Sequence, residues 1–373
     1  MDKPLAGLKV VELARILAGP WAGQLLADLG AEVVKVERPE VGDDTRHWGP
    51  PFAADGASAY FHSCNRGKRS VAIDIETAEG QAQVRALAAE ADVLIENFKV
   101  GGLARFGLDY PALSALHPAL VYCSITGFGQ TGPYAARAGY DFIIQGMGGA
   151  MSLTGAPDGE PQKSGLAYAD LFTGLYATVA ILAALRERDR TARGAHIDMA
   201  LLDTQVGVLA NQALNWMVSG EVPHRMGNGH ANLVPYQAFR VADGEVIVAV
   251  GNDAQYARLC AILGLPALAE DERFRTNPAR VVNRDALLPQ LQAAIALRRR
   301  HEFSDALEAA GIPAGPINAV DAVFADPQVA YRGMRLEGEV PGLASAIVID
   351  GRRQVAERGA PFLDAGRDSV LKR

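Results

Sequence analysis

One acidic residue stands in unusual company. Asp170 lies in Gly165-Leu166-Ala167-Tyr168-Ala169-Asp170-Leu171-Phe172-Thr173-Gly174, just before a long apolar run from Leu171 to Leu185. An aspartate at a helix start accepts backbone N–H bonds and complements the helix dipole, so capping is one role for it. A carboxylate held there, beside flexible glycines and few other charges, also stays ionised and can attack a carbonyl carbon. Both roles use the same geometry, and the residues alone leave both open.

Other chemistries find little support in the spacing. Gly127-Phe128-Gly129-Gln130-Thr131-Gly132 matches G-x-G-x-x-G after a strand-like run, but a dinucleotide site needs a helix N-terminus next. Pro133-Tyr134 and a polar stretch follow instead, so the segment reads as a structural loop. Lys163-Ser164 lacks the glycine of a P-loop, no G-x-S-x-G elbow occurs, and His301-Glu302 has no second histidine four residues after the first. No metal site emerges. Cys64, Cys123 and Cys260 show no C-x-x-C spacing, which fits a reducing compartment better than a disulfide framework.

The elements that would position Asp170 read as an alternation of strand and helix. Leu8 to Leu13 is a strand, Trp21 to Leu29 a helix stopped by Gly30, and Val33 to Val36 the next strand, a βαβ unit of about 30 residues. Ser70 to Ile75, Asp92 to Phe98 and Leu120 to Ile125 continue the strands, with a helix over Ala78 to Ala91. The pattern predicts an α/β fold with an open, mostly parallel sheet. Leu171 to Leu185 and Met199 to Met217 read as long helices. Ser219 to Pro235 reads as a linker, and Glu245 to Val250 as a strand after the Asp243-Gly244 turn. The strand Ala346 to Asp350 is placed back on the first sheet. These divisions predict a large Rossmann-like domain over 1–200, a helical linker over 201–224, a small α/β domain over 225–320, and a C-terminal return over 321–373.

Composition narrows the class. The 373 residues are 49% hydrophobic and 21% charged, with a formal net charge of −7. That is the balance of a soluble globular protein and argues against nucleic acid as a partner. No apolar run of about 18 residues marks a membrane span, and the N-terminus has no signal core, so the expectation is cytoplasmic.

Taken in order, seven segments resemble the class III CoA-transferases, the family that includes formyl-CoA and carnitine CoA-transferases. They are GLKVVEL with Ala18-Gly19-Pro20, LADLGAEVVKVERP ending at Pro39, GDDTR (Gly42 to Arg46), NRGKRSVAIDI (Asn65 to Ile75), DVLIENF (Asp92 to Phe98), SITGFGQTGPY (Ser124 to Tyr134) and the Asp170 segment. The resemblance spans essentially the whole chain. It implies a transferase with no permanently bound cofactor, CoA and acyl-CoA being substrates, and an interlocked homodimer. It makes Asp170 the nucleophile, passing through an aspartyl anhydride and an aspartyl-CoA thioester.

For CoA contacts the resemblance points to Arg38, Ile73, Asn97, Phe98, Arg105 and Arg137. Arginine suits the phosphates because its forked, permanently charged head gives paired contacts. Leu17 stands where the formyl-CoA enzymes carry a glutamine, which argues against oxalate or formate. Gly227-Asn228-Gly229-His230-Ala231-Asn232 replaces their run of four glycines and looks like the loop of members using succinyl-CoA with glutarate or mesaconate. Arg15, Tyr140, His230 and Asn232 are the substrate-binding candidates, with His230 or Arg15 on the remote carboxylate of a diacid. Gly146 to Gly149 and Gly227 to Gly229 are candidate oxyanion donors. One rival is a 2-methylacyl-CoA racemase. Its histidine aligns with Tyr140, whose reference pKa of about 10 suits α-proton removal poorly. The other is a non-catalytic CoA-binding protein, for which Asp170 is only a cap.

Overall fold

The computed structural model of the protein describes residues 3–371. The chain divides into two compact units. The first runs through Ala150 and resumes over Lys163–Ala210 and from Pro327; the second comprises Met151–Gln162 and Asn211–Asp326.

The first unit is built on six parallel strands: β1 (Lys9–Glu12), β2 (Glu32–Glu37), β3 (Arg69–Ala72), β4 (Val93–Glu96), β5 (Val121–Thr126) and β6 (His196–Ala200). Their order is β3-β2-β1-β4-β5-β6. The helices are α1 (Ala18–Asp28), α2 (Ala59–Cys64), α3 (Ala78–Ala89), α4 (Tyr110–Leu116), α5 (Asp141–Met147), α7 (Tyr168–Thr191) and α8 (Leu201–Gly207), while the single turn α6 (Ala150–Leu153) has all but its first residue in the second unit. Adjacent residues of β1 serve opposite faces. Val10 packs with Ala22, Leu26, Ala177 and Ile181 of α1 and α7, whereas Val11 packs with Val84, Ala88 and Leu113 of α3 and α4. A sheet covered on both faces needs apolar side chains on both, which is why its strands read as unbroken apolar runs.

The strand order reverses between β1 and β4, and in an open α/β sheet a ligand crevice forms beyond the strand ends at that reversal. The far edge, β3, is covered by the C-terminal segment: Gly366 N–H donates to Ser70 O at 2.7 Å and Ala72 N–H to Asp364 Oδ1 at 2.8 Å. Covering an edge strand removes a site for unwanted pairing.

Three expectations need correction. Met199 is not helical but lies in β6, whose exposed edge position gives it an alternating pattern easily mistaken for a helix face. The expected long helix to Met217 is two helices, α8 and α9 (Ala210–Ser219), broken where Ala210 takes φ +45°. The strand near Ala346 does not rejoin the large sheet. Val348–Ile349 pairs with Arg352–Arg353 through Asp350-Gly351, both at positive φ, the dipeptide that closes tight hairpins.

In the second unit β7 (Tyr236–Val241), β8 (Gly244–Ala249) and β9 (Ala314–Gly315) form an antiparallel sheet. Phe239, Val246 and Val248 pack on Leu259, Leu287, Leu291 and Leu307 from helices Asp253–Leu263, Arg284–Ile295 and Arg300–Ala309. Helix α7 has 24 residues and is apolar enough, by length and composition, to cross a membrane. Its inner residues Ala169, Ala177, Ile181 and Leu185 are nonetheless part of the core under the sheet.

Candidate active site

Asp170 is the third residue of α7, whose N-cap is Ala167, so it does not cap its own helix. Asp141, the first residue of α5, does so from outside. Its Oδ1 accepts the N–H of Ala169 at 2.9 Å and of Asp170 at 3.4 Å. The other oxygen of Asp141 accepts Gln145 Nε2 at 2.7 Å, and buried Gln145 in turn accepts Ser164 N–H at 2.9 Å, tying down the loop that leads into α7. The capping expected of Asp170 therefore belongs to Asp141, and the Asp170 carboxylate is left for other work.

Burial and the nearby negative charge of Asp141 push the Asp170 carboxyl up to about 7. Desolvation disfavours the charged form and a like charge adds to it, so the carboxyl holds its proton more tightly than an ordinary aspartate does. Tyr60, on α2, shares this neighbourhood; burial first, then the charges of Asp170, Cys64 and Asp141, raise its phenol well above the ordinary tyrosine range.

Asp170 lines a cavity of about 540 Å³ together with residues that follow three adjacent strands. Arg15, Ile16 and Leu17 come after β1, Asn97 to Val100 after β4, and Thr126 and Gly127 at the end of β5 and just beyond it. Thus the cavity occupies the crevice expected where the strand order reverses. Gly127 is required by a close crossing, because a Cβ there would lie 2.6 Å from Gly139 Cα. No helix begins directly after the glycine-rich loop; α5 starts only at Asp141.

Four cationic residues line this cavity: Arg15, Lys99, Arg105 and Arg137. Arg137 lies over the rings of Tyr134 and Phe128 at 4.5 and 5.2 Å, and Arg105 over Phe106 at 4.4 Å. Arg105 makes only a loose pair with Glu76, 3.7 Å apart and largely exposed, which an anion can displace at little cost. Arg15 is paired with Asp44 at 2.7 Å, and Asp44 also holds Arg38. Tyr140 stands on the cavity wall and is 60% exposed.

The remaining expected residues differ in their surroundings, Asn97 and Phe98 lining the same cavity. Ile73 is buried in the core. Asn97 lines the cavity, but its amide spans the backbone of residue 15, accepting Arg15 N–H at 2.9 Å and donating to Arg15 O at 2.6 Å. Phe98 N–H is held by Glu96 Oε2 at 2.8 Å; burial pushes that carboxyl up to about 7. In the second unit Asn232 accepts from Asn211 and Asn215, both at 3.1 Å, so its side chain knits α9 to the loop. His230 Nδ1 accepts Asn232 N–H at 3.0 Å, which leaves Nε2 as the ring's donor.

Among the candidate oxyanion donors, the amides of Gly148, Gly149, Gly227 and Gly229 donate to Ile144, Gly146, Gly155 and Met226 carbonyls. Asp141, Tyr60 and Lys99 were not singled out from the sequence. Among the described residues no cluster of three His, Cys, Asp or Glu side chains could hold a metal ion.

Comparison with known proteins supplies the last observation. The sequence pattern described as CoA-transferase family III matches residues 5–366. The chain is 53% identical to the succinate–glutarate CoA-transferase of Agrobacterium fabrum, covering 99% of this chain and 95% of that protein. It is 46% identical to the succinyl-CoA:glutarate CoA-transferase of Mus musculus, covering 91% and 78%. A crystal structure of a CAIB/BAIF family protein from Brucella suis superposes with a TM-score of 0.89 at 57% identity, covering 100% and 99%.

Proposed function

The chain belongs to CoA-transferase family III, and from that premise we propose that it moves CoA from succinyl-CoA to a dicarboxylic acid such as glutarate or mesaconate, with Asp170 as covalent carrier. The observation that supports this most directly is the placing of Asp170. Its carboxylate is uncommitted to capping, partly desolvated, and on the wall of a cavity that four cationic residues line. Desolvation strengthens a carboxylate as a nucleophile once it is ionised, and the cations suit the phosphates and free carboxylate of the substrates.

In the first step an Asp170 oxygen bonds to the succinyl carbonyl carbon and the C–S bond breaks, giving a mixed anhydride and CoA thiolate. The thiolate then attacks the Asp170 carbonyl carbon, releasing succinate and leaving an aspartyl-CoA thioester. The acceptor carboxylate attacks that thioester, re-forming an anhydride and thiolate, and thiolate attack on the acceptor's carbonyl frees Asp170. Each step exchanges one activated acyl bond for another, so no external energy source enters.

Arg15, which shares the cavity with Asp170, is proposed for the remote carboxylate of the diacid; His230 is the other candidate carried from the sequence. Arg105, Arg137 and Arg38 are proposed for the CoA phosphates, with Asn97, Phe98 and Ile73 shaping the CoA path and Tyr140 and Asn232 on the acyl side. A cytoplasmic homodimer completes the reading. It is supported by the exposed Phe172, Leu175, Tyr176 and Val179 on α7, an apolar stripe of the kind that partner chains cover.

Mass analysis of enzyme quenched during turnover with succinyl-CoA tests the mechanism. The expected product is a CoA or succinyl adduct on the peptide carrying Asp170, also captured by hydroxylamine. Full transferase activity in Asp170→Ala would sink it. Unchanged apparent affinity for every dicarboxylate after replacing both Arg15 and His230 would remove them from the acyl site.

A further inference from the structure

Between β1 and α1 the chain makes a turn whose backbone is gripped almost wholly by side chains from elsewhere. Ala14 O accepts Lys35 Nζ at 2.8 Å. Arg15 exchanges both of its backbone bonds with the Asn97 amide. Ile16 N–H donates to Asp43 Oδ1 at 3.3 Å, and Ile16 O accepts Cys64 Sγ at 3.6 Å. Within this grip Ile16 sits at φ +73°, a conformation in which a β-branched side chain is strained. Such residues persist where their surroundings over-determine them, and they gather at functional sites.

The grip rests on buried charge. Lys35 and Asp43 are fully buried and 2.9 Å apart, and Lys35 also meets Glu12 at 3.0 Å. Glu12 is shared with Lys68 at 2.8 Å, so two cations balance two anions. Asp43 additionally accepts Thr45 N–H at 3.0 Å and Thr45 Oγ1 at 2.8 Å. A cluster this costly to desolvate is weak as a source of stability, since apolar side chains of equal volume serve as well or better. What it does here is hold both sides of residue 15.

We propose that Lys35 and Asp43 are positioning residues for the transferase site, holding the Ala14–Leu17 turn in its strained form so that Arg15, Ile16 and Leu17 present the wall opposite Asp170. This inference rests on the transferase reading of the cavity. The turn leads directly into α1, where Ala18 O abuts Gly174, one helical turn beyond Asp170. Relaxation at Ile16 therefore moves both the wall and the contact that seats α7.

A double-mutant cycle tests the proposal. Asp43→Asn lowers kcat by about 10- to 100-fold, the size of effect that a misplacement of about 1 Å produces, while KM for succinyl-CoA moves less than about threefold. In an Ile16→Gly background, where positive φ carries no steric cost, the same Asp43→Asn change lowers kcat by less than about threefold. Equal losses in both backgrounds, or no loss in either, overturn the proposal. Should Asp43→Asn fail to fold, thermal melting of Ile16→Gly against Ile16→Ala decides instead. Glycine melting above alanine supports a strained left-handed turn, and alanine melting above glycine refutes it. If wild-type enzyme never shows an acylated Asp170, the functional reading fails, and the melting comparison still judges the turn.

Discussion

Asp141 Oδ1 accepts the backbone N–H of Asp170 at 3.4 Å, so one aspartate caps the helix on which the other stands. The same contact does two opposed things. It secures the start of α7, and it sets a negative charge beside the Asp170 carboxyl, which joins burial in raising it to about 7. In the role proposed for it, such a carboxyl is about half ionised at neutral pH, and two consequences of that can be measured, beside two that concern its helix and the cavity's cations.

The rate of adduct formation on Asp170 should depend on pH. Only the ionised carboxylate attacks, so the single-turnover rate rises with pH through a midpoint near 7 and levels above it. Asp141→Asn keeps an oxygen for the helix amides but removes the like charge, so the midpoint should move down. A pH-independent rate between pH 5 and 9 would contradict this assignment.

Stability should change in the opposite sense. A carboxyl whose folded pKa lies above its unfolded value binds its proton more tightly when folded, so stability falls as pH rises from about 4 to about 7. Asp170→Asn removes that loss. Its melting temperature should exceed that of the native protein at pH 8, and the gap should close at pH 4. Calorimetry at the two values checks it, and an equal gap at both would argue against a raised Asp170.

Gly174→Ala pits two effects against each other. Alanine in a helix interior is favoured over glycine by about 1 kcal/mol. A Cβ at 174 would lie 2.7 Å from Ala18 O and 3.0 Å from Trp21 Cδ1, and overpacking of that kind costs about 1–3 kcal/mol. The clash involves backbone and should win, with a net loss of about 1 kcal/mol in chemical denaturation. A stabilised variant would mean that α1 and α7 separate easily.

Removing the cations should separate binding from chemistry. Arg105→Ala and Arg137→Ala should each raise KM for succinyl-CoA by about 10-fold, roughly the value of one charge-assisted contact, and leave kcat within about twofold. The KM of native enzyme should also climb with salt, because partly exposed charges are screened. A fall in kcat with KM unchanged would move these arginines from the phosphates to the reacting centre.

Local sequence was sufficient for what depends on neighbours along the chain. Apolar runs with helical or strand period placed β1, β2, β4, β5 and α3 within a few residues, and motif order pointed to the transferase family. Where the local signal is ambiguous it misleads: the helix expected from Met199 takes in the last two residues of β6, because an edge strand carries no continuous apolar run, and Ala210 gives no sign of its positive φ.

Tertiary structure alone decided the relations between distant residues. That Asp141 rather than Asp170 caps α7, that Asn97 and Asp43 hold the turn at Arg15 and Ile16, and that Arg137 and Arg105 reach one cavity with Asp170 are facts of packing between separate strands and helices. The physical reason is that burial and charge proximity set the carboxyl's proton affinity, and both arise only when segments far apart in the chain exclude water together.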